Sequence, residues 1–428
     1  MKFFVTIFFI FFSFNTEAFE FKEITTEKGI KFWFVEDRNI PLVSLSFSLN
    51  GGAVNDKKNK DGTTNLMASL LDEGTENFSS LDYKLALKDC GAKIYFSADR
   101  EKIDGTFRVV SNQIQKGFWL LQEAVNFPKF DKNEITKVKN QIEASIKIDQ
   151  SDVSTIASDM FNKHFFLDKS FSRKIKGTIK SLKNISRKDI FESYKLNFNK
   201  NGLTIGIAGD IDEQNAKKYI DYVFGDLPEN AKESKIKFSK LNKGEKKHNI
   251  ETPQATVIFG QKGLRRTDDN YFAARIANYV LGGGSFQSRL YKEVREKRGL
   301  VYSISTYLLP YKNDGLILGA FQTRNETVRE TIEQVKEQWD KILNNGITKK
   351  EFSEAKTYYK GSFSRNFTNT LSIANLLKIV QYYDLGNDYF KNRERIINNI
   401  KLKQVNNVAS NFFKSDELFF VVVGKLKE

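Results

Sequence analysis

Asn184, Ile185, Phe198, Leu203 and Gly209 recur without a gap 215 positions later, as Asn399, Ile400, Phe413, Leu418 and Gly424. The strand-like LTIGIAG at 203–209 thereby meets LFFVVVG at 418–424, and a helical stretch precedes each. A chain that ends both of its halves with the same helix-then-strand order reads as a duplication, which limits its architecture more than any single motif does. At 428 residues it also exceeds the roughly 250–300 at which single cores stop growing, so two domains are expected.

The periodicity fills in those halves. Residues 21–36 and 41–49 are expected as strands, the second alternating Leu45, Phe47 and Leu49 with Ser44, Ser46 and Ser48. Helices at 63–71 and 80–89 follow, then strands at 93–97 and 102–110, then a helix carrying Ile114, Phe118, Leu121 and Val125. Asp131 with Glu134, Thr327 with Glu330 and Thr348 with Glu351 have the spacing of capping boxes. The second half repeats the plan with a strand at 255–260 and a helix at 271–281. Residues 229–250, rich in Lys, Glu, Ser and Asn, read as an exposed linker between domains at 19–228 and 251–428. The expected fold class is α+β, with two duplicated halves, each a mostly antiparallel sheet covered on one face by helices.

Residues 1–18 have the form of an export signal: Lys2, an apolar run at 3–14 interrupted only by Thr6 and Ser13, and Thr16-Glu17-Ala18 before a cut. That run is too short to span a bilayer, and no later segment reaches 18 apolar residues. A periplasmic or secreted protein with no membrane span after cleavage is the expectation. The formal charge of +15 is carried by lysines scattered among Asn and Ile rather than gathered with aromatics, which argues against nucleic acid as a partner. Cys90 is alone and admits no internal disulfide. The two histidines, His164 and His248, are not at ligand spacing.

Chemistry is concentrated at residues 281–307, LGGGSFQSRLYKEVREKRGLVYSISTY. Gly282, Gly283 and Gly284 follow a helical segment rather than a strand, and no Gly-Lys-Ser/Thr closes them, so a phosphate loop is disfavoured. Ser285 is the expected N-cap of a charged helix stopped by Gly299. Arg295 falls in the last turns of that helix and Tyr302 begins the next strand, so a turn can bring both to one rim. By spacing alone, Arg295 is also one charge in a solvated run and Tyr302 an ordinary strand aromatic.

With these residues, the helix leading to Gly74-Thr75, and GLTIGIAGDID at 202–212, the chain resembles the insulinase/pitrilysin zinc peptidases (peptidase family M16) over nearly all of 20–428. The resemblance implies two homologous α+β halves, with an inverted His-x-x-Glu-His helix ahead of a Gly-Thr pair in the catalytic one. Counting back from Gly74-Thr75 places Asn65 and Ser69 at the ligand positions and Ala68 at the general base. The third ligand falls near Ala144 or Ser145; Glu143 is adjacent but points about 100° away around the helix. Zinc needs imidazole, thiolate or carboxylate donors, and its water needs a base. The resemblance therefore implies a subunit with no zinc of its own. It would pair, as a heterodimer or larger assembly, with a zinc-bearing homologue whose zinc site it supplies with Arg295 and Tyr302. Gly282, Gly283 and Gly284 would leave backbone room for a peptide substrate. The alternative is a pseudopeptidase that binds peptides or acts as a scaffold with no role in proteolysis.

Overall fold

The computed structural model describes residues 20–229 and 240–426; the apolar run at 3–14 lies outside them. The first sheet is built from β1 (Lys22–Thr25), β2 (Lys31–Glu36), β3 (Leu42–Asn50), β4 (Lys93–Ala98), β5 (Lys102–Val110) and β6 (Thr204–Gly209), in the order β1-β2-β6-β3-β5-β4. The second holds β7 (Gly244–Asn249), β8 (Gln254–Lys262), β9 (Val301–Pro310), β10 (Gly315–Arg324) and β11 (Phe419–Gly424), in the order β7-β11-β8-β10-β9. Apart from β1 the two orders coincide, and in each sheet one pair alone is parallel: β2 with β6, β7 with β11.

The helices of the first half are α1 (Thr63–Ala68), α2 (Ser80–Asp89), α3 (Ile114–Asn126), α4 (Lys132–Asp149), α5 (Val153–Phe165), α6 (Lys169–Ser172), α7 (Ile179–Asn184), α8 (Arg187–Asn197) and α9 (Glu213–Phe224). Those of the second are α10 (Tyr271–Asn278), α11 (Val328–Asn345), α12 (Lys349–Gly361), α13 (Thr370–Tyr382), α14 (Tyr389–Asn399) and α15 (Leu402–Phe412). The elements α8–β6 and α15–β11 are the repeated pair seen in the sequence, start for start and end for end.

Leu45, Phe47 and Leu49 of β3 enter a core shared with Phe107 and Phe118, under α3 and α9. The opposite face of β3 departs from the simple reading of alternation, because Ser44, Ser46 and Ser48 are fully buried. Helix α13, from the other half, lies across β6 and β3 and covers them. Thr370, at its start, shares a hydrogen bond with Ser44 at 2.8 Å. Gly206 makes the approach possible, since a Cβ there would sit 2.1 Å from the Ala374 carbonyl oxygen. Reciprocally, α5 lies across β11 and β8, with Phe161 and Phe165 each 5.9 Å from the Phe419 ring. Each half thus covers part of the other's second sheet face, so the helices are not confined to one face as expected.

Local corrections have local causes. Residues 21–36 form two strands, because Gly29 is left-handed (φ +80°) and Ile30 N–H donates to Thr26 Oγ1, turning the chain. Asp131 caps α4 through Asn133 N–H at 2.8 Å, while Glu134 pairs with Lys137 instead of completing a box. Thr327 does not cap α11, since the chain enters through a 3₁₀ turn and its hydroxyl donates to Arg324 O. The Thr348–Glu351 box forms as expected. The second sheet starts inside the expected linker: β7 pairs with β11 from Gly244 onward. All six β7 residues are exposed, and a charged edge strand reads as linker because its pairing uses backbone groups alone.

Candidate functional site

Helix α1 is short, six residues, and Ser69 is its C-cap. Asn65 and Ser69 stand on one partly buried face, as the i, i+4 spacing dictates, but the Ser69 hydroxyl donates to the Asn65 carbonyl oxygen at 2.9 Å. Ala68, at the base position, is buried among apolar neighbours. Glu73, five positions beyond Ala68, is already engaged: it accepts from Lys84, Lys137 and Ser80 at 2.6–2.7 Å. Partial burial pushes the Glu73 carboxyl up, but those hydrogen bonds outweigh it and bring it down to about 2.

At the third ligand position, Ala144 is exposed and Ser145 accepts a hydrogen bond from the Lys176 ammonium at 2.9 Å. Lys176 also reaches Asp149, and the neighbouring Glu143 pairs outward with Lys147. An ammonium where a metal ligand would stand opposes a second cation. His164 lies on α5 and His248 on β7. Among the described residues no three His, Cys, Asp or Glu side chains come together to hold a metal ion. The residues present do not fit the family's zinc.

Residues 281–307 are built differently. Helix α10 widens after Asn278 into a π turn, Tyr279–Gly283, and a second π turn spans Tyr291–Glu296, a geometry that recurs at functional sites. The Asn278 amide and Thr306 of β9 bond each other twice, at 2.8 and 3.2 Å, locking the helix to the strand. A Cβ on Gly282 would fall 2.5 Å from Thr306 Oγ1, and one on Gly284 2.7 Å from Tyr279 O. Both glycines are buried, so packing accounts for them; Gly283 alone of the three is exposed. Ser285 is not the expected N-cap. Its φ is +49° and a 3₁₀ turn, Ser285–Gln287, intervenes, so Ser288 caps instead by accepting from Tyr291 N–H.

Arg289 anchors the helix with a two-pronged bond to Glu351, at 2.7 and 2.8 Å, and a third to Gly346 O. The left-handed Gly299 (φ +61°) closes it, its N–H on Arg295 O at 3.0 Å. In the charged run Glu293 pairs with Lys297 and Arg298, whereas Arg295 is exposed, 5.3 Å from the Tyr291 ring centre, and makes no ion pair among the described residues.

Across the turn, Val301 pairs with Thr323 and Ile304 with Phe321, so Tyr302 and Ser303 together oppose Gln322. This bulge turns Tyr302 out: it is 87% exposed, and its hydroxyl has no hydrogen bond among the described residues. Ser303, Ser305 and Tyr307 continue along β9 into a groove of about 560 Å³, floored by Leu316 and Leu318 and walled by Phe161 of α5. That wall was invisible in the sequence, because α5 belongs to the other half.

Residues 32–179 match the family model for insulinase (peptidase family M16), and residues 184–359 match that for the peptidase M16 inactive domain. The chain is 24% identical over 364 residues to a Helicobacter pylori protein named non-peptidase homolog YmxG, covering 84% of each. It is 24% identical over 358 residues to a Bacillus subtilis protein named uncharacterized zinc protease YmxG, covering 82% of this chain and 85% of the other. Its fold is similar to a crystal structure of a peptidase M16 inactive domain from Pseudomonas fluorescens, with TM-score 0.90, 24% identity, and 96% and 98% coverage. It is also similar to a chain of complex III2 from Candida albicans, with TM-score 0.79, 16% identity, and 94% and 96% coverage. With adjoining family models running from residue 32 to residue 359, the chain belongs to the insulinase family, peptidase family M16.

Proposed function

We propose that this chain is the zinc-free subunit of a heteromeric, exported M16 peptidase: it encloses a peptide with a zinc-bearing homologue and supplies Arg295 and Tyr302 to that partner's site. The observation that carries this reading is the pair itself. Both side chains are exposed, with no ion pair to Arg295 and no hydrogen bond to the Tyr302 hydroxyl among the described residues, on a turn that Arg289, Asn278 and Gly299 hold in place. Attack of a metal-bound water on a peptide carbonyl builds an oxyanion, and a guanidinium or phenol O–H positioned beforehand stabilises charge that exists only in the transition state. The groove beside β9 offers an apolar floor and a hydroxyl rim, a surface suited to a side chain of an extended peptide. That a chain of the Candida albicans complex III2 has this fold supports a place in an assembly.

The second reading, a pseudopeptidase that binds peptides or scaffolds a complex without proteolysis, is favoured by the name of the Helicobacter pylori relative. Both readings give a chain with no zinc of its own. They part when the purified chain is mixed with its zinc-bearing homologue and a quenched peptide: cleavage absent from either protein alone supports the first, and no gain over the homologue alone supports the second.

A further inference from the structure

In the helical layer over the second sheet, three arginines gather around Tyr359 and Tyr389, with no acid paired to them among the described residues. Arg266, in the loop entering α10, lies 4.4 Å from the Tyr271 ring centre and 5.5 Å from that of Tyr389, and it donates to the Tyr389 hydroxyl at 2.6 Å. Arg275 of α10 lies 4.6 Å from the ring centre of Tyr359 of α12. Arg393 of α14 is only 5% exposed, lies 3.9 Å from the Phe363 ring centre and donates to Tyr359 O at 2.7 Å. Burial, together with the like charges of Arg275 and Arg266, pulls the Arg393 guanidinium down to about 10 despite the neighbouring Tyr389. None of the three forms an ion pair among the described residues.

Such an arrangement is costly to hold unpaired. The ring faces offset part of the charge, but a face accepts no in-plane N–H, and each guanidinium presents five donors in a planar fork. That fork matches a phosphoryl group, with two oxygens to each pair of donors. A phosphate dianion also balances three cations better than a single carboxylate does. Arg266 and Arg275 are partly exposed, so the cluster opens to solvent on their side. The Tyr389 hydroxyl, which accepts from Arg266, retains its own proton to donate.

We propose that Arg266, Arg275 and Arg393 form a binding site for a phosphoryl group, carried by a soluble phosphate or by a phospholipid headgroup. This site shares no residue with the Arg295–Tyr302 turn and does not depend on the subunit role proposed above.

The test uses the full chain and inorganic phosphate against sodium chloride and sodium acetate at matched ionic strength. Phosphate should raise the melting temperature saturably where the other salts do not. Arg266→Gln and Arg275→Gln should each weaken apparent phosphate affinity about tenfold or more, while the melting temperature in chloride changes little. If either variant fails to fold, Arg266→Lys, which keeps the charge and loses the fork, carries the test by calorimetric titration with the same expected weakening. Sedimentation with phosphatidylglycerol vesicles but not phosphatidylcholine vesicles, lost in Arg266→Gln, assigns the headgroup source; a phosphate response without vesicle binding assigns the soluble one. Equal effects of phosphate and chloride, an equal response to acetate, or an undiminished phosphate response in the variants would overturn the proposal.

Discussion

Helix α1, where the resemblance places zinc ligands, and the turn from Tyr291 to Tyr302, where it places an Arg and a Tyr, are built in opposite ways. At the positions the resemblance gives to the zinc machinery the side chains are absorbed into the fold: on α1 Ala68 is buried and Ser69 bonds its own helix, and on α4 a lysine ammonium sits on Ser145. On the turn, Arg295 and Tyr302 face solvent; among the described residues Arg295 makes no ion pair, only a contact with the Tyr291 ring, and the Tyr302 hydroxyl makes no hydrogen bond. A position relieved of coordination is taken over by packing, because buried polar groups must find partners. A side chain kept exposed on a rigid support has no such reason to be there.

That contrast can be broken from either side, and the expected effects fall in order of size. Rebuilding the motif as Asn65→His, Ala68→Glu and Ser69→His should fail, because Ala68→Glu forces a carboxylate into a closed core, with a loss of about 3 kcal/mol or more in urea unfolding. A stable triple variant holding one zinc by elemental analysis would show that α1 is still a site.

A pH effect tests the joint between the two halves. Glu101, on the β4–β5 turn, accepts from Lys312 N–H of the β9–β10 turn, and burial raises its carboxyl from 4.5 to about 7. Between those pH values the unfolded chain releases a proton that the folded chain keeps, so stability should fall as pH rises through that window. The loss should be about 3 kcal/mol, and Glu101→Gln should flatten the profile. An unchanged profile in that variant would place the dependence elsewhere.

Gly282→Ala presses a methyl against Thr306 and Leu290 and should cost about 1–3 kcal/mol. No loss would return Gly282 to the list of peptide-contacting candidates. Arg295→Ala and Tyr302→Phe should change stability least, within about 0.5 kcal/mol. A larger loss would mean that these side chains hold the fold after all.

Much of this architecture was legible in the residues. The repeat joining Leu203 to Leu418 announced two halves, and α8–β6 and α15–β11 fall on it. The unfit of Asn65, Ala68 and Ser69 for zinc follows from side-chain chemistry alone. The crossing of α5 and α13 was not legible, because a helix bears the same amphipathic stripe whichever sheet it covers. For the same reason, the serine face of β3 reads as solvated until a helix from the other half is laid on it. The outward turn of Tyr302 depends on β10 supplying one residue where β9 supplies two, a mismatch that neither strand carries by itself. The arginines at 266, 275 and 393 are far apart in sequence, and only α10, α12 and α14 packing together shows that they share a neighbourhood.

The central claim is that the chain acts through Arg295 and Tyr302 on another subunit's chemistry. The most direct measurement is peptide cleavage by the zinc-bearing homologue mixed with wild-type chain, Arg295→Ala, Tyr302→Phe or the double variant, each first shown to bind the homologue equally. Removing a preformed oxyanion donor is worth about 10²–10³ in kcat, so each single variant should lower kcat of the mixture by about that factor with little change in KM. Joint activity that is unchanged in the double variant would contradict the account.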